Sequence, residues 1–426
     1  MAELVQPPSP HSAEAGRSLR IVVVGGGAAG MVAAWRAAGL GHRVLLLEAN
    51  DRLGIKLRIS GGGKCNITHA GPVAELLGAF ARGQARFLRP ALHGFSNEAV
   101  LALLQREGVA TRARDNGRVF PVDQPGSAAL VTEAFETLVR RAGVEVRLGA
   151  RVLGLRGARP RLEALLLADG ETVAADRFIL ATGGASYPRC GTRGEFLGWL
   201  EALRVPVAPW FPALAPVPLR CPWPAWEGVA LRDGVLELRA GRQGRLLAAA
   251  AGDVLFTRTG LTGPAVLALS QATESARRAG PVWLSYALAA PAPAALEAEL
   301  LREQVARPHL AARTWLQRWL PERLCEPALG LVELAVDQRL KDLPRAGRRA
   351  LLGLVAGFPL GEPGPVALEK GEVCAGGVCL DAVEPRTMAL RAWDNLRVCG
   401  ELLDLDGPVG GYNLQAAFST GYAAGS

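Results

Sequence analysis

The segment LRIVVVGGGAAGMVAAWRAAGLGHRVLLLEAN, residues 19–50, constrains this chain more than any other part of it. Ile21 to Val24 form an all-apolar, mostly β-branched run of the kind buried on both faces of a parallel sheet. Gly25, Gly27 and Gly30 follow as G-x-G-x-x-G, then an alanine-rich helical run from Ala28 to Ala38, closed by Gly39 and Gly41. A second apolar strand, Val44 to Leu47, ends at Glu48. Each glycine has a physical task in such a unit: one makes the tight turn, one lets backbone N–H groups reach a pyrophosphate, and one lets helix and strand pack closely. The helix N-terminus adds unpaired donors and partial positive charge. Glu48 stands where an acid accepts both hydroxyls of an adenosine ribose. The unit predicts a Rossmann-like dinucleotide site.

This fingerprint alone does not separate NAD from FAD, and three further stretches favour FAD. The first is RISGGGKCNITH, residues 58–69, a second glycine loop where an extended flavin dinucleotide would have to be followed along its length. The second is DRFILATGGASYP, residues 176–188, where the strand Phe178 to Ala181 runs into the turn Thr182-Gly183-Gly184. The third is NLRVCGELLDLDGPVGGYNLQAAFSTGYAAG, residues 395–425: the strand Leu396 to Cys399, then Gly400-Glu401, a glycine-rich loop, and a helix from about Asn413. An acid after such a strand can hold ribitol hydroxyls, and the helix start can direct its dipole at the flavin N1–C2=O edge.

With those residues in place, the chain resembles the two-dinucleotide-binding-domain flavoproteins. More narrowly it resembles the bacterial NAD(P)/FAD-dependent oxidoreductase family that includes bile-acid 3-dehydro-Δ4,6-reductases and aminoacetone-oxidase-like FAD-binding proteins. The matching stretches are SGGGKCNIT, NGRVFPVD (116–123), ILATGGASYP, DVLFTRTGLTGPAVLALS (253–270) and the C-terminal motif, together reaching from about residue 20 to the end. The resemblance implies non-covalent FAD and a flavin loop at Ser60, Gly61, Gly62, Gly63, Lys64 and Cys65, with Lys64 in place of the more usual arginine and Lys56 at a basic position. It also places backbone contacts to the adenine near Val152. The expected cofactor-contacting set is completed by Gly25, Gly27, Ala28, Ala29, Gly30, Glu48 and Ala49 in the first unit, and by Ala181, Thr182 and Gly183 in the second. The C-terminal motif adds Gly400, Glu401, Gly411, Asn413, Leu414 and Gln415. Cys65 admits two readings, a redox thiol or a small residue buried beneath the loop.

The expected fold class is α/β: a Rossmann-like FAD-binding domain, discontinuous in sequence, with an inserted β-barrel-like plus helical domain. Residues 127–141 read as a helix, and Val144 to Leu148 as a further strand of the parallel sheet. Seven prolines in residues 205–226 preclude a regular central strand or helix and mark a domain crossing. The division is therefore 19–204 with 354–426 for the cofactor domain, and 205–353 for a cap over the flavin, β-rich over about 205–285 and helical over about 290–353. Residues 1–18 read as a disordered leader without an apolar signal region.

Composition removes several function classes. The net charge of +8 rests on arginines dispersed along the chain, with four lysines in all, so nucleic-acid binding is not expected. Seven scattered cysteines suit reduced thiols and offer no metal-ligand spacing. No segment reaches the roughly 20 apolar residues of a membrane helix, which makes a cytoplasmic protein the default.

For chemistry, no second nucleotide fingerprint supports a separate NAD(P)H domain, so electrons are expected from NAD(P)H bound transiently, from substrate, or from another protein. The family resemblance implies hydride transfer from flavin N5 to a small-molecule C=C bond conjugated to a carbonyl. Two departures from the family pattern are candidate catalytic positions: Arg258, where a histidine is common, and Cys374, where a threonine is usual. Arginine can bind a carboxylate or polarise an enone but does not act as a general acid at neutral pH. An amine or amino-ketone oxidase using O2 and a non-catalytic flavin-binding redox sensor stay open as alternatives. The oligomeric state is not legible in the sequence.

Overall fold

The computed structural model describes residues 17–122 and 127–426; the expected leader falls mostly outside them, as does Asp123 of the NGRVFPVD motif. At the centre is a five-stranded parallel sheet, ordered Leu396–Val398, Arg177–Leu180, Arg20–Val24, Arg43–Leu47 and Glu145–Arg147. Arg20–Val24 lies in the middle, with Val22 opposite both Phe178 and Leu45. Ile21, Val22, Val23, Phe178, Ile179 and Leu180 are fully buried, as their uninterrupted apolar runs require of a sheet covered on both faces.

The helix Ala28–Gly39 leaves the first strand, and the C-terminal helix Tyr412–Gly425 packs along it. A Cβ on Gly421 or Gly425 would collide with the carbonyl oxygens of Ala29 and Ala33, so the small residues set how closely these helices approach. Ser127–Arg141, predicted with those bounds, completes the layer by stacking Phe135 on Phe418 at 4.9 Å.

Buried apolar side chains form two clusters. One draws on residues 21–205 and 378–424 around the parallel sheet. The other draws on residues 215–366, which hold two four-stranded antiparallel sheets and five helices, and includes Trp226, Phe256, Trp315 and Phe358. The helix Pro264–Ala279 interrupts the β-rich part of this region, a feature the sequence reading did not separate from its strands. The proline-rich segment does form a strand, Val207–Ala213, but only in a two-stranded antiparallel pair with Val373–Val378. Its register shifts between Ala208 and Phe211, the interval that holds Pro209. A proline has no N–H to give a ladder, and an isolated pair with an irregularity tolerates that loss. These two strands are the outgoing and returning links between the clusters.

Among the described residues no helix is long and apolar enough to cross a membrane. No group of three metal-ligating side chains occurs among them either.

Candidate cofactor and active site

A cavity of about 880 Å³ opens at the carboxyl ends of the parallel strands, where the ligands of doubly wound sheets bind. Its first wall is the glycine turn. Gly25 has φ +99° and donates its N–H to Leu47 O at 2.8 Å, a conformation a side chain would strain. At Gly27, the residue before the first helix, a Cβ would meet nothing within 4 Å. Gly30 is the reverse case: it faces inward, and a Cβ there would strike the Gly25 carbonyl.

Glu48 ends the second strand with its carboxylate almost fully buried. Oε2 accepts from Gly26 N at 2.7 Å, and Oε1 accepts from Asn50 N at 2.9 Å and Asn50 Nδ2 at 2.6 Å. Asn50 Nδ2 in turn donates to Cys190 O at 3.1 Å, so the acid fixes both the glycine turn and the loop after residue 187. The sequence pattern singled out Glu48 but carried no sign of Asn50, because the partnership depends on a loop 140 residues away.

The second glycine loop forms the next stretch of wall. Gly61, Gly62 and Gly63 take φ values of +58°, +67° and +84°, and Cys65 follows at +53°. Ser60, Gly61, Gly62 and Lys64 line the cavity, whereas Cys65 is fully buried behind it. Burial pushes the Cys65 thiol up to about 12, against a smaller opposing hydrogen bond with Ser60. Gly30 and Gly63 lie outside the lining. Gln415 does too: its amide accepts from Thr68 Oγ1 at 2.7 Å and donates to Ser419 Oγ and Phe95 O, fastening neighbouring segments to the C-terminal helix.

Also lining it are Ala181, Thr182 and Gly183, then Gly400 and Glu401, with Gly411, Asn413 and Leu414 around the start of the C-terminal helix. Ala28, Ala29, Ala49 and Val152 also line the cavity. Asn413 pins its own loop, donating to Gly407 O and accepting from Gly407 N. Glu401 meets four protein donors: Lys56 Nζ at 2.6 Å, Cys374 N at 3.0 Å, Ser186 Oγ at 3.1 Å and Cys374 Sγ at 3.4 Å. A carboxylate has about four acceptor positions, so the protein itself largely saturates this one.

The two candidate catalytic positions fall differently from their sequence context. Arg258 is exposed in the turn between Val254–Thr257 and Gly260–Thr262 and does not line the cavity; its neighbours Thr262, Gly263, Pro264 and Leu267 do. Cys374 is buried behind the wall, where Sγ accepts from Ala185 N at 3.1 Å. Desolvation first, and then the negative charge of Glu401, push its thiol up to about 12.

The cavity is also lined by residues that motif spacing did not single out. They include Arg114, Arg118 and Phe120 from the hairpin Thr111–Ala113/Arg118–Pro121, together with Tyr187 and Glu372. Arg118 and Phe120 belong to NGRVFPVD, so the motif was visible while its role was not.

Three observations fit the flavin dinucleotide expected from the sequence. The cavity lies near the upper end of small-molecule pocket volumes. Two helix N-termini open on it, capped by Gly27 and Gly411 with no side-chain hydrogen bond, as a phosphate and an electron-rich ring edge require. Thr182 Oγ1, on a lining residue, is buried without a hydrogen-bond partner.

Comparison with known proteins places this geometry. The model of the HI0933-like protein Rossmann domain matches residues 19–426. The chain is 30% identical over 424 residues to the 3-dehydro-bile acid delta(4,6)-reductase of Clostridium scindens, covering 95% of this chain and 98% of that protein. It is 29% identical over 402 residues to the ribosomal RNA dihydrouridine synthase of Escherichia coli, covering 94% and 96%. The solved 3-ketosteroid-delta4-(5alpha)-dehydrogenase of Rhodococcus jostii RHA1 superposes with a TM-score of 0.53 over 98% of both chains, at 16% identity, a likeness of fold alone.

Proposed function

The chain belongs to the HI0933-like Rossmann-domain family, and on that premise we propose that it is an FAD-dependent oxidoreductase that saturates a C=C bond conjugated to a carbonyl. The observation that carries this reading is the continuity of the cavity. Its lining takes in Gly25 and Gly27 of the first glycine turn, Glu401 and Lys56, and also Arg118, Tyr187, Glu372 and the Thr262–Pro264 corner. The cofactor and a planar substrate would thus share one cavity.

When bound, FAD would supply two-electron hydride chemistry between a reduced nicotinamide nucleotide and the substrate. The protein's part is binding and orientation. Gly27 and the helix it begins would hold the pyrophosphate, Glu48 the ribose, and Gly411 with the C-terminal helix the pyrimidine edge of the ring. Arg118, on the cavity lining, would polarise the substrate carbonyl.

The names of the relatives support the same bond type on two substrates. A delta(4,6)-reductase of a 3-dehydro-bile acid saturates a conjugated ketone. A dihydrouridine synthase saturates the C5=C6 bond of uracil, which is conjugated to its C4 carbonyl. A uridine in ribosomal RNA is accordingly a second substrate class for this chain, against the expectation from dispersed charge. Lys64, Arg114 and Arg118 at the cavity, on a chain of net charge +8, suit a phosphate-bearing substrate.

The test is an anaerobic absorption experiment. The purified protein, with NADH or NADPH, should lose its flavin absorbance. Separate additions of a steroid dienone and of unmodified ribosomal RNA should then show which one restores it. Peroxide formed from amines, with no consumption of the nicotinamide nucleotide, would replace this reading with that of an oxidase. Absence of any bound flavin would refute it.

A further inference from the structure

Tyr187 adopts φ +51° and ψ +65°, the left-handed region that a residue with a large side chain enters at a cost of about 1–2 kcal/mol. The surroundings enforce it. Tyr187 N donates to Glu369 O at 3.3 Å, and Tyr187 O accepts from Cys190 N at 2.8 Å. The preceding residue is held just as firmly, with Ser186 Oγ accepting from Lys56 Nζ at 2.6 Å and donating to Glu401 at 3.1 Å. Tyr187 held in this way lines the cavity, and 38% of the residue remains accessible.

Lys56, Arg118 and Glu372 line the same cavity; Lys56 and Glu372 act on the phenol, and Arg118 and Lys56 act on Glu372. Burial, followed by the Glu372 charge, raises the Tyr187 hydroxyl above its ordinary value, while Lys56 opposes the rise; the phenol is therefore protonated near neutral pH. Glu372 is also raised by desolvation, but two cations, Arg118 and Lys56, pull it back toward the carboxylate. The cluster thus keeps a proton on the tyrosine, beside a cation suited to the phenolate left when that proton departs.

Resting on the reading of the preceding subsection, we propose that Tyr187 is the proton donor of the reaction, giving its hydroxyl proton to the substrate carbon α to the carbonyl. The balance is simple. Hydride originating from the reduced nicotinamide nucleotide forms the new C–H bond at the β carbon. The C=C electron pair takes up the Tyr187 proton at the α carbon, the O–H bond breaks, and water returns a proton to the phenolate. Lys56 is a positioning residue, holding Ser186 at the base of the turn and lowering the cost of the phenolate.

Tyr187→Phe keeps the ring and removes the donor, and it is tested in the flavin-loaded protein. Flavin content and the rate of flavin reduction by NADH or NADPH should match the unmodified protein. Reoxidation by the unsaturated substrate should slow by roughly 10²–10⁴-fold, the usual contribution of a positioned general acid. In D2O the unmodified protein should place deuterium on one face of the α carbon, and the variant should place it on both. Tyr187→His, which keeps a donor, should recover part of the rate and the single-face product. Reoxidation of Tyr187→Phe at the unmodified rate with unchanged facial selectivity would overturn the assignment. If no unsaturated carbonyl compound, including uridine in RNA, reoxidises the unmodified protein, the functional reading falls and takes the assignment with it.

Discussion

Lys56 and Glu401, 345 residues apart in sequence, meet with Nζ 2.6 Å from the carboxylate on the wall of the cofactor cavity. The pair joins the segment after the second strand to the segment after the last strand of the parallel sheet, and Ser186 ties the DRFILATGGASYP stretch to both. Three loops that the sequence offers separately are thereby fixed to one another by a single carboxylate. Glu401→Gln would leave Lys56 without its charge partner and is expected to cost about 1–2 kcal/mol of stability, the pair being only partly screened from solvent. Urea denaturation of Glu401→Gln, Lys56→Met and the double variant checks this. The double variant should lose less than the sum of the singles, and strict additivity would mean that the contact does not couple the loops.

The extent to which this site could be read from sequence follows from the range of its interactions. The β-α-β unit was legible because a buried parallel strand, a glycine turn and an alanine-rich helix are local patterns, and Ile21–Leu47 lie where those patterns put them. The partners of Glu48 and Glu401 were not legible, because Asn50–Cys190 and Lys56–Ser186 are brought together only by the folded sheet. Arg258 shows a different limit. A departure from a family pattern marked it, but one hairpin turn carries its side chain into solvent while the following Thr262–Pro264 corner reaches the cavity. The strand at Val207–Ala213 was obscured by its prolines, whose exclusion from central strands does not extend to an irregular two-stranded pair.

Glu48 has two duties, and its replacement should separate them. Its oxygens hold Gly26 N and Asn50, so Glu48→Ala leaves buried donors unpaired and should cost about 1–3 kcal/mol in the protein without cofactor. It should also weaken flavin binding by about tenfold or more through the lost ribose hydrogen bonds, a factor of ten corresponding to 1.4 kcal/mol. Thermal unfolding without flavin and titration with FAD read the two effects independently. Unchanged flavin affinity would count against the ribose assignment.

Gly27 and Gly30 make a contrasting pair. A methyl group at Gly27 meets no protein atom within 4 Å, and its φ of −78° suits any residue, so Gly27→Ala should fold normally. That methyl group would occupy the helix entrance where a pyrophosphate would sit, and flavin affinity should fall steeply. Gly30→Ala should instead unfold or markedly destabilise the chain, because its Cβ would overlap the Gly25 carbonyl. Circular dichroism with flavin titration distinguishes the two outcomes. Normal folding of both variants would refute the packing role of Gly30.

The cysteines should divide by burial. Cys221 is exposed, whereas Cys65, Cys325, Cys374 and Cys399 are buried. Burial lifts the thiols of Cys65, Cys374 and Cys399 to about 12 and that of Cys325 to about 11, leaving almost no thiolate at neutral pH. An alkylating reagent should therefore modify Cys221 first in the native protein and reach these four only after unfolding. Mass mapping of a time course checks this, and rapid native labelling of Cys65 would show that the glycine loop opens.

Glu274 supplies the clearest acid dependence outside the cavity. It is buried on the helix Pro264–Ala279 and accepts from Arg277 at 2.8 Å, Arg278 at 2.8 Å and Val366 N at 3.0 Å. The Arg277 hydrogen bonds, chiefly, hold its carboxyl near a pKa of about 2, well below the ordinary 4.5. A depressed folded-state value stabilises the fold fully above the ordinary pKa, and that stabilisation disappears as pH falls from 4.5 through about 2. Both arginines reach solvent, so the stabilisation is screened to about 1–2 kcal/mol. Glu274→Gln should therefore be less stable than the unmodified protein at pH 7, and the gap should narrow as pH falls toward about 2. Urea midpoints at pH 7, 5 and 3 read the difference directly. A gap that stays constant across that range would place the effect in packing and not in the charge of Glu274.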